Sequence, residues 1–335
     1  CEGIQGLRLL ALRHIATPTT TLSTLPEAWA APMLPRTLVY LDLRDFTACT
    51  ALDSDFLSGY PVLRLVELSG LHRCERIGDR VLAFCPELKE AYIGGMTACR
   101  SIGFSFLEQC VKLHTVDLSG FTACTEIGNR MLYGCRSLPD VNLKAFTACR
   151  TVGSSWLSGC EGITALALES LATSLTSIDA SFLENCHFLT TLDYAALHRV
   201  PSIPDFFCYE CSSLTAVDLR DFRDCTRIGE DFLRSCYSLQ KLTLHGFPRC
   251  TAIGDWFCYE CTELATVDVT GLTSCERIGV GLLSHCAKLQ SVLSEGVSDV
   301  LASRLAAIGE DVEFGGRGEE RRDRFKCGTP ECVCA

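Results

Sequence analysis

The sequence predicts an α/β solenoid: a horseshoe of about 10–11 stacked units of 25 residues, with short parallel strands on the concave face and short helices or turns on the convex face. Three observations carry this. First, Leu or Ile recurs at 38, 63, 88, 113, 138 and 163, then, after one 26-residue step, at 189, 214, 239, 264 and 289, so ten full units span 38–288. Second, positions 4 and 6 of each unit are apolar, as Val116 and Leu118 are in the unit 113–137, and residues two apart share one face of a strand. Third, the apolar positions 15, 19, 20 and 23 follow i, i+4, i+5, i+8, which is helical spacing. One unit cannot bury its apolar side alone, whereas stacked units bury a continuous column.

The remaining positions have a reading each. Position 9 is large and apolar (Phe46, Leu71, Met96, Phe121), and position 12 is Cys in eight of ten units. Position 16 is Gly in seven of ten, as a turn of positive φ would require. Positions 19 and 20 are bulky (Phe106 and Leu107; Trp156 and Leu157), and position 23 is Cys in nine of ten. Residues 1–37 read as a degenerate N-terminal repeat or cap, with the 1-4-6 spacing at Leu7, Leu10 and Leu12 and a loop rich in proline (Pro18, Pro26, Pro32, Pro35). Residues 289–308 read as a partial repeat and C-terminal cap, with a helical pattern at Val297, Val300, Leu301 and Leu305; 309–335 read as a charged, disordered, Cys-containing tail. Units 6 and 7 depart from the rule. Unit 6 carries the extra residue and lacks the position-12 Cys, and unit 7 has Val200 there with Pro201 and Pro204 beside it. Two readings stay open: drift that alters local curvature, or a specialised central loop that contacts a ligand.

Composition narrows the class. With 47% hydrophobic and 21% charged residues, the 335-residue chain is not of the disordered type. No apolar run reaches the ~18 residues of a spanning helix, which argues against an integral membrane segment. A net charge of −11 argues against a nucleic-acid footprint. The first residue is Cys1, so a signal peptide upstream is an open expectation.

The L-x2-L-x-L spacing with a downstream Cys resembles leucine-rich repeats. The segment C-x2-I-G-x2-F/M-L-x2-C-x2-L, as in Cys124 to Leu138, is most similar to the BspA-like class and also resembles the cysteine-containing class of F-box proteins. The unit is longer than the usual BspA-like one, and position 9 holds Phe or Leu where many leucine-rich repeats place Asn. The resemblance implies a protozoan-type array acting as a non-catalytic scaffold, a monomer that holds a protein or peptide partner, with no enzyme activity and no cofactor. Two further functions follow from it: a cell-surface adhesion or antigen protein of the BspA-like type, and a substrate adaptor of the ubiquitin system.

The 23 cysteines fall mostly into two columns, Cys49, Cys74, Cys99, Cys124 and Cys149 in one, and Cys85, Cys110, Cys135, Cys160, Cys186, Cys211, Cys236, Cys261 and Cys286 in the other. Stacking at about 5 Å leaves Cα distances compatible with disulfides, yet odd-membered columns leave thiols over. Reduced Cys packs as a small buried hydrophobe, and this reading points to a reducing, cytoplasmic compartment, with the cell surface as the alternative. Two C-x-x-C motifs, Cys208 to Cys211 and Cys258 to Cys261, suggest a zinc site in isolation, but they lie two units apart, about 10 Å, too far for one ion bonded at ~2.3 Å. In the tail, Cys327, Cys332 and Cys334 are one ligand short of a closed zinc site, and Cys332 stands four from the end in a weak prenylation pattern.

Catalytic motifs do not emerge. The seven histidines fall in separate units, and neither H-E-x-x-H nor G-x-S-x-G occurs. The concave face is therefore the candidate site. Its column 5 carries Asp42, Glu67, Tyr92, Asp117, Asp193, Asp218 and Asp268, six of ten acidic across the array, with Arg44 beside Asp42 and Arg220 beside Asp218. This is read either as a solvated face or as an acidic track for a basic protein surface. Tyr40, Leu65 and Tyr92 cluster with Arg44 on units 1–3, which makes that end the expected contact region, because Tyr and Arg are enriched among interface anchors.

Overall fold

The computed structural model describes residues 36–308, apart from 172, 173, 195, 196 and 221, together with the backbone of Leu10–Ala11 and Glu313–Gly315. The expected N-terminal cap and C-terminal tail otherwise lie outside the described residues, as do Cys1, Cys327, Cys332 and Cys334.

The chain is a solenoid of parallel strands with two ladders per unit. Concave strands form at positions 3–5, as in Tyr40–Asp42, Leu65–Glu67, Glu90–Tyr92 and Thr115–Asp117, paired in parallel register. The concave ladder falls into three sheets; Leu10 lies opposite Leu41 at the start of the first, and Glu313–Gly315 pairs with Ser291–Leu293 at the end of the last. A second ladder of two-residue strands forms at positions 14–15, running from Ala51–Leu52 to Ser177–Ile178 and again from Ser202–Ile203 to Arg277–Ile278. Between the ladders lies one apolar core of stacked columns: Leu41 and Leu43, Phe121 on Phe146 at 5.5 Å, and Phe182, Phe207, Phe232 and Phe257 in succession.

The convex helices are not there. Among the described residues the only α-helix is the cap, Asp299–Ala306, with Ser298 accepting the Leu301 N–H; a 3-10 turn spans Glu169–Leu171. Positions 16–23 are instead successive tight turns. In unit 4 the N–H of Cys135 bonds Leu132 O and that of Tyr133 bonds Arg130 O, each an i→i+3 contact. Positions 18, 20 and 22 have positive φ in every unit, for example Arg80 (55°), Leu82 (58°) and Phe84 (57°), the third-residue conformation of a type II turn. The same segments bond to their neighbours. Leu82 N–H donates back to Phe56 O (2.8 Å), while Arg80 and Phe84 N–H donate forward to Phe104 O and Glu108 O (both 2.7 Å). The physical reason is width. An α-helix is ~10 Å across, whereas units bonded through strands repeat at about 4.8 Å. A ribbon of turns fits that repeat and bonds across it. Side chains at 19, 20 and 23 point inward from this ribbon, so its burial pattern imitates a helix.

Position 16 also differs from expectation. Its glycines do not have positive φ. A Cβ on Gly128 would lie 2.6 Å from Gly103 C and 2.8 Å from Ile102 O, and one on Gly254 2.5 Å from Glu230 N. Glycine is there because the neighbouring unit's backbone passes at that point. Unit 7 is instructive. Pro204 replaces this glycine, and Pro201 stands at position 13, where Glu75 and Thr125 donate N–H groups to Thr50 O and Arg100 O. Two ladder donors are lost together, and the second sheet is interrupted there, between Ser177–Ile178 and Ser202–Ile203.

The described cysteines are free thiols and, except for half-buried Cys286, all buried. Each position-23 thiol donates to the position-20 carbonyl of the preceding unit, as Cys135 Sγ does to Leu107 O (3.1 Å) and Cys160 Sγ to Leu132 O (3.1 Å). Position-12 thiols bond two residues on in their own unit, Cys124 Sγ to Glu126 O at 3.4 Å. Burial pushes Cys74, Cys99, Cys124, Cys149 and Cys250 up to about 12.

Candidate protein-binding face

The concave face is built from the ends of the strands. Most concave strands end at position 5, and only those of Ala216–Arg220 and Lys241–His245 reach position 7. In five units the position-5 side chain accepts the N–H of position 7. Asp42, Glu67, Asp117, Asn142 and Asp268 accept the N–H groups of Arg44 (3.0 Å), Ser69 (3.1 Å), Ser119 (3.0 Å), Lys144 (3.1 Å) and Thr270 (3.0 Å). The acidic column is thus partly a row of local caps of the Asx type. The sequence signal was present, an acceptor two residues before an unpaired amide, but it becomes readable only once the strand end is known.

The cluster expected at units 1–3 is assembled by the register, with Tyr40, Leu65 and Glu90 in one row and Asp42, Glu67 and Tyr92 in the next. Asp42 is 6% exposed and held by Arg44, whose Nη2 lies 2.7 Å from Oδ2 while its Nε reaches Oδ1 at 3.1 Å. Tyr40, Leu65, Glu67 and Tyr92 are half-buried, and Tyr92 donates its hydroxyl to Glu90 Oε2 (2.7 Å). Burial, then the nearby Asp42 carboxylate, raises the Tyr40 phenol. Further along, Asp117, Asp193 and Asp268 are half-buried and Asp218 is exposed in a two-point pair with Arg220 (Nε–Oδ1 2.8 Å).

Two depressions mark this face. One, of about 260 Å³, lies at units 5 and 6 beside Asp140, Asn142, Lys144, Ala167 and Glu169. Here Pro139 stands at position 2, where Arg64, Lys89 and His114 each donate N–H to the preceding unit (2.8–2.9 Å), and no concave strand forms in unit 5. The other, of about 470 Å³, lies over units 8–11 and is lined by Arg220, Lys241, Thr243, His245, Asp268 and Leu293, among others. The strands beneath it, Ala216–Arg220 and Lys241–His245, run five residues instead of two or three. Sequence reasoning passed over Lys241 and His245, which stand in columns 3 and 7 of a face otherwise read through its acids.

Among the described residues no group of three or more His, Cys, Asp or Glu is placed to hold a metal ion, and no helix is long and apolar enough to cross a membrane.

No curated protein matches the chain. Among solved structures, similar ones include a leucine-rich repeat protein from Bacteroides ovatus (16% identity, 80% of this chain and 88% of that one, TM-score 0.36) and a leucine rich cell surface protein from Faecalibacterium prausnitzii (15% identity, 81% and 84%, TM-score 0.36). A third is the pneumococcal vaccine antigen PcpA (13% identity, 84% and 70%, TM-score 0.42). The family description "BspA type Leucine rich repeat region" matches in six copies over residues 62–190 and 176–301, which together exceed half of the chain. The chain therefore belongs to the BspA-type leucine-rich repeat family.

Proposed function

We propose that this chain is a non-catalytic scaffold that receives a protein partner on its concave face. The observation that carries the reading is the preorganised polar surface of that face: position-5 acceptors fixed by bonds of 3.0–3.1 Å, beside half-buried Tyr40 and Tyr92. A side chain already fixed loses little entropy on binding. Capture of partners on immobilised protein tests it. Tyr40→Ala with Tyr92→Ala should reduce recovery of a specific partner while the circular dichroism spectrum stays unchanged. Recovery unaltered by these and by concave substitutions elsewhere would refute the reading.

Display at the cell surface, as an adhesion or antigen protein, is the second reading, and family membership supports it. The cytoplasmic expectation rested on reduced cysteines. Buried thiols whose ionisation is pushed up to about 12 hold almost no thiolate at neutral pH, so they stay reduced in either compartment and report neither. Biotinylation of intact cells with a membrane-impermeant reagent decides the matter: labelling supports display, and labelling only after lysis refutes it.

A further inference from the structure

We propose that the depression over units 8–11 binds an extended acidic peptide segment, with two carboxylates four residues apart held by Lys241 at one end and by Arg220 at the other. The proposal rests on the concave-face reading above and names the chemistry of one partner segment.

Charge sets this depression apart. The chain carries −11 overall, and its concave column 5 is acidic, yet two full cations and a histidine line this depression against one carboxylate, Asp268. That carboxylate is engaged, since its Oδ1 accepts both the N–H (3.0 Å) and the Oγ1 hydroxyl (2.7 Å) of Thr270. Asp218, on the same strand as Arg220, is engaged with that guanidinium at 2.5 and 2.8 Å, so a ligand carboxylate at this end shares the guanidinium with Asp218, and Lys241 is the uncompensated cation of the depression. Lys241 is exposed, and its ammonium makes no hydrogen bond or ion pair among the described residues. Thr270 gives its hydroxyl proton to Asp268, so His245 donates Nδ1–H to Thr270 Oγ1 at 3.3 Å, and its Nε2 is an acceptor in that tautomer.

Strand geometry then sets the ligand's length. Ala216 pairs with Lys241 and Arg220 with His245, so the level of Arg220 lies four residues along the strand from that of Lys241. At ~3.3 Å per residue the two cationic ends stand about 13 Å apart. An extended peptide covers that span with residues i and i+4, and even spacing puts both side chains on one face. Midway between the ends, in the row of position 5, lie Thr243, Asp268 and Leu293, the last an exposed apolar wall, while the hydroxyls of Thr266 and Ser291 share the row of Lys241. Among the described residues no Phe, Tyr or Trp lines the depression to serve as a platform for a sugar, which favours a peptide over an acidic polysaccharide.

The strands beneath the site are longer than those of the other units: in units 8 and 9 they run on to position 7, where Arg220 pairs with His245, and position 5 holds Asp218, ion-paired with Arg220, and Thr243.

Fluorescence anisotropy on the full chain tests the proposal. The probe is a fluorescein-labelled peptide of serine and threonine with glutamate at every fourth residue; the comparison is its isomer with the glutamates contiguous. The spaced peptide should bind the more tightly. Lys241→Gln should weaken it about fivefold, the upper range for one exposed ion pair, and Arg220→Gln should weaken it similarly. Lys89→Gln, an exposed cation on unit 3, should leave it unchanged. Equal affinity of wild type and Lys241→Gln, equal affinity of the two peptides, or Lys241-dependent binding of polygalacturonate but not of peptide would each overturn the proposal. If the peptide fails while Tyr40→Ala and Tyr92→Ala still cost partner capture, this site falls and the concave-face reading stands. If no concave substitution affects capture, the broader reading falls regardless of the peptide.

Discussion

Replacing Gly128 by Ala is the sharpest test of how the units are spaced. The new Cβ would lie 2.6 Å from Gly103 C, 2.7 Å from Gly103 O and 2.8 Å from Ile102 O, all backbone atoms of the preceding unit. Contact at about 3.5 Å requires unit 4 to withdraw from unit 3 by most of an ångström at this point. The withdrawal strains the Gly128 N–H bond to Ile102 O (2.8 Å) and the adjoining bond from Thr125 N–H to Arg100 O (2.8 Å). Overpacking of this kind costs about 1–3 kcal/mol, and each weakened hydrogen bond adds up to about 1 kcal/mol. The expected loss is therefore about 2–4 kcal/mol, read as a fall in Tm of roughly 4–8 °C for a domain of this size. Gly159→Ala is the matched control. Gly159 has φ +70°, but its Cβ would find the nearest atom 3.5 Å away, and the equivalent position in other units holds Phe84, Gln109 and Asn185 in the same conformation. Its cost should not exceed about 1 kcal/mol. Scanning calorimetry on both variants decides. If Gly159→Ala proved the more damaging, the reading of position 16 as a site of close approach would be wrong, and the turn interpretation would return.

Other expectations follow from the same geometry. Pro139→Lys supplies the missing N–H opposite His114 O and should raise stability by about 0.5–1 kcal/mol with new amide protection in unit 5, measured by hydrogen exchange; unchanged exchange would show that proline is not the cause of the break. Cys135→Ala deletes a buried thiol and its bond to Leu107 O and should cost about 1–3 kcal/mol by urea unfolding, whereas a cost near zero would make the thiol column passive filling. Stability should also fall in alkali. Cys74, Cys99, Cys124, Cys149 and Cys250 ionise near 12 when folded and near 8.5 when unfolded, so their contribution is complete below about pH 8.5 and is lost as pH rises toward 12. By pH 10 each costs about 1–2 kcal/mol, and a Tm constant from pH 8 to pH 10.5 would contradict the burial of these thiols.

The concave half of each unit was legible because a strand's period of two is unambiguous: Leu41 and Leu43, or Leu242 and Leu244, can share a core face in only one way. The convex half was not. Burial at 15, 19, 20 and 23 is common to a helix and to a ribbon of turns. What separates the two is backbone sign at positions 18, 20 and 22, and the residues there, Asp55, Leu57, Arg80 and Leu132 among them, are mostly not turn formers. Local propensity gives no warning, because the conformation is imposed by neighbouring units and not chosen by the residue. The site was legible in its outline, the outward columns 3, 5 and 7, but not in its division of labour. Asp42, Asp117 and Asp218 look alike in sequence, yet Asp117 caps an amide, Asp218 pairs with an arginine side chain, and Asp42 does both.

That left-handed ribbon bears on the solenoid's cooperativity. A non-glycine residue in the left-handed region costs on the order of 1 kcal/mol, and three positions per unit adopt it. An isolated unit cannot bear this, since its compensation comes from across the interface: position 20 bonds the unit before, and positions 18 and 22 bond the unit after. The ring stacking of Phe207, Phe232 and Phe257 and the position-23 thiol bond also run between units. Intrinsic unit stability is thus unfavourable and coupling strongly favourable, the condition under which a linear array unfolds in large blocks. The block boundary should fall between units 6 and 7, where Pro201 and Pro204 delete two of the coupling hydrogen bonds while the convex bonds, Ser181 N–H to Asp205 O (2.9 Å) and Cys208 N–H to Phe182 O (3.0 Å), persist. Hydrogen exchange at intermediate urea concentrations would show protection lost as two groups of amides divided there. Loss of protection at one common midpoint throughout 38–288 would show that the convex ribbon alone couples the two halves.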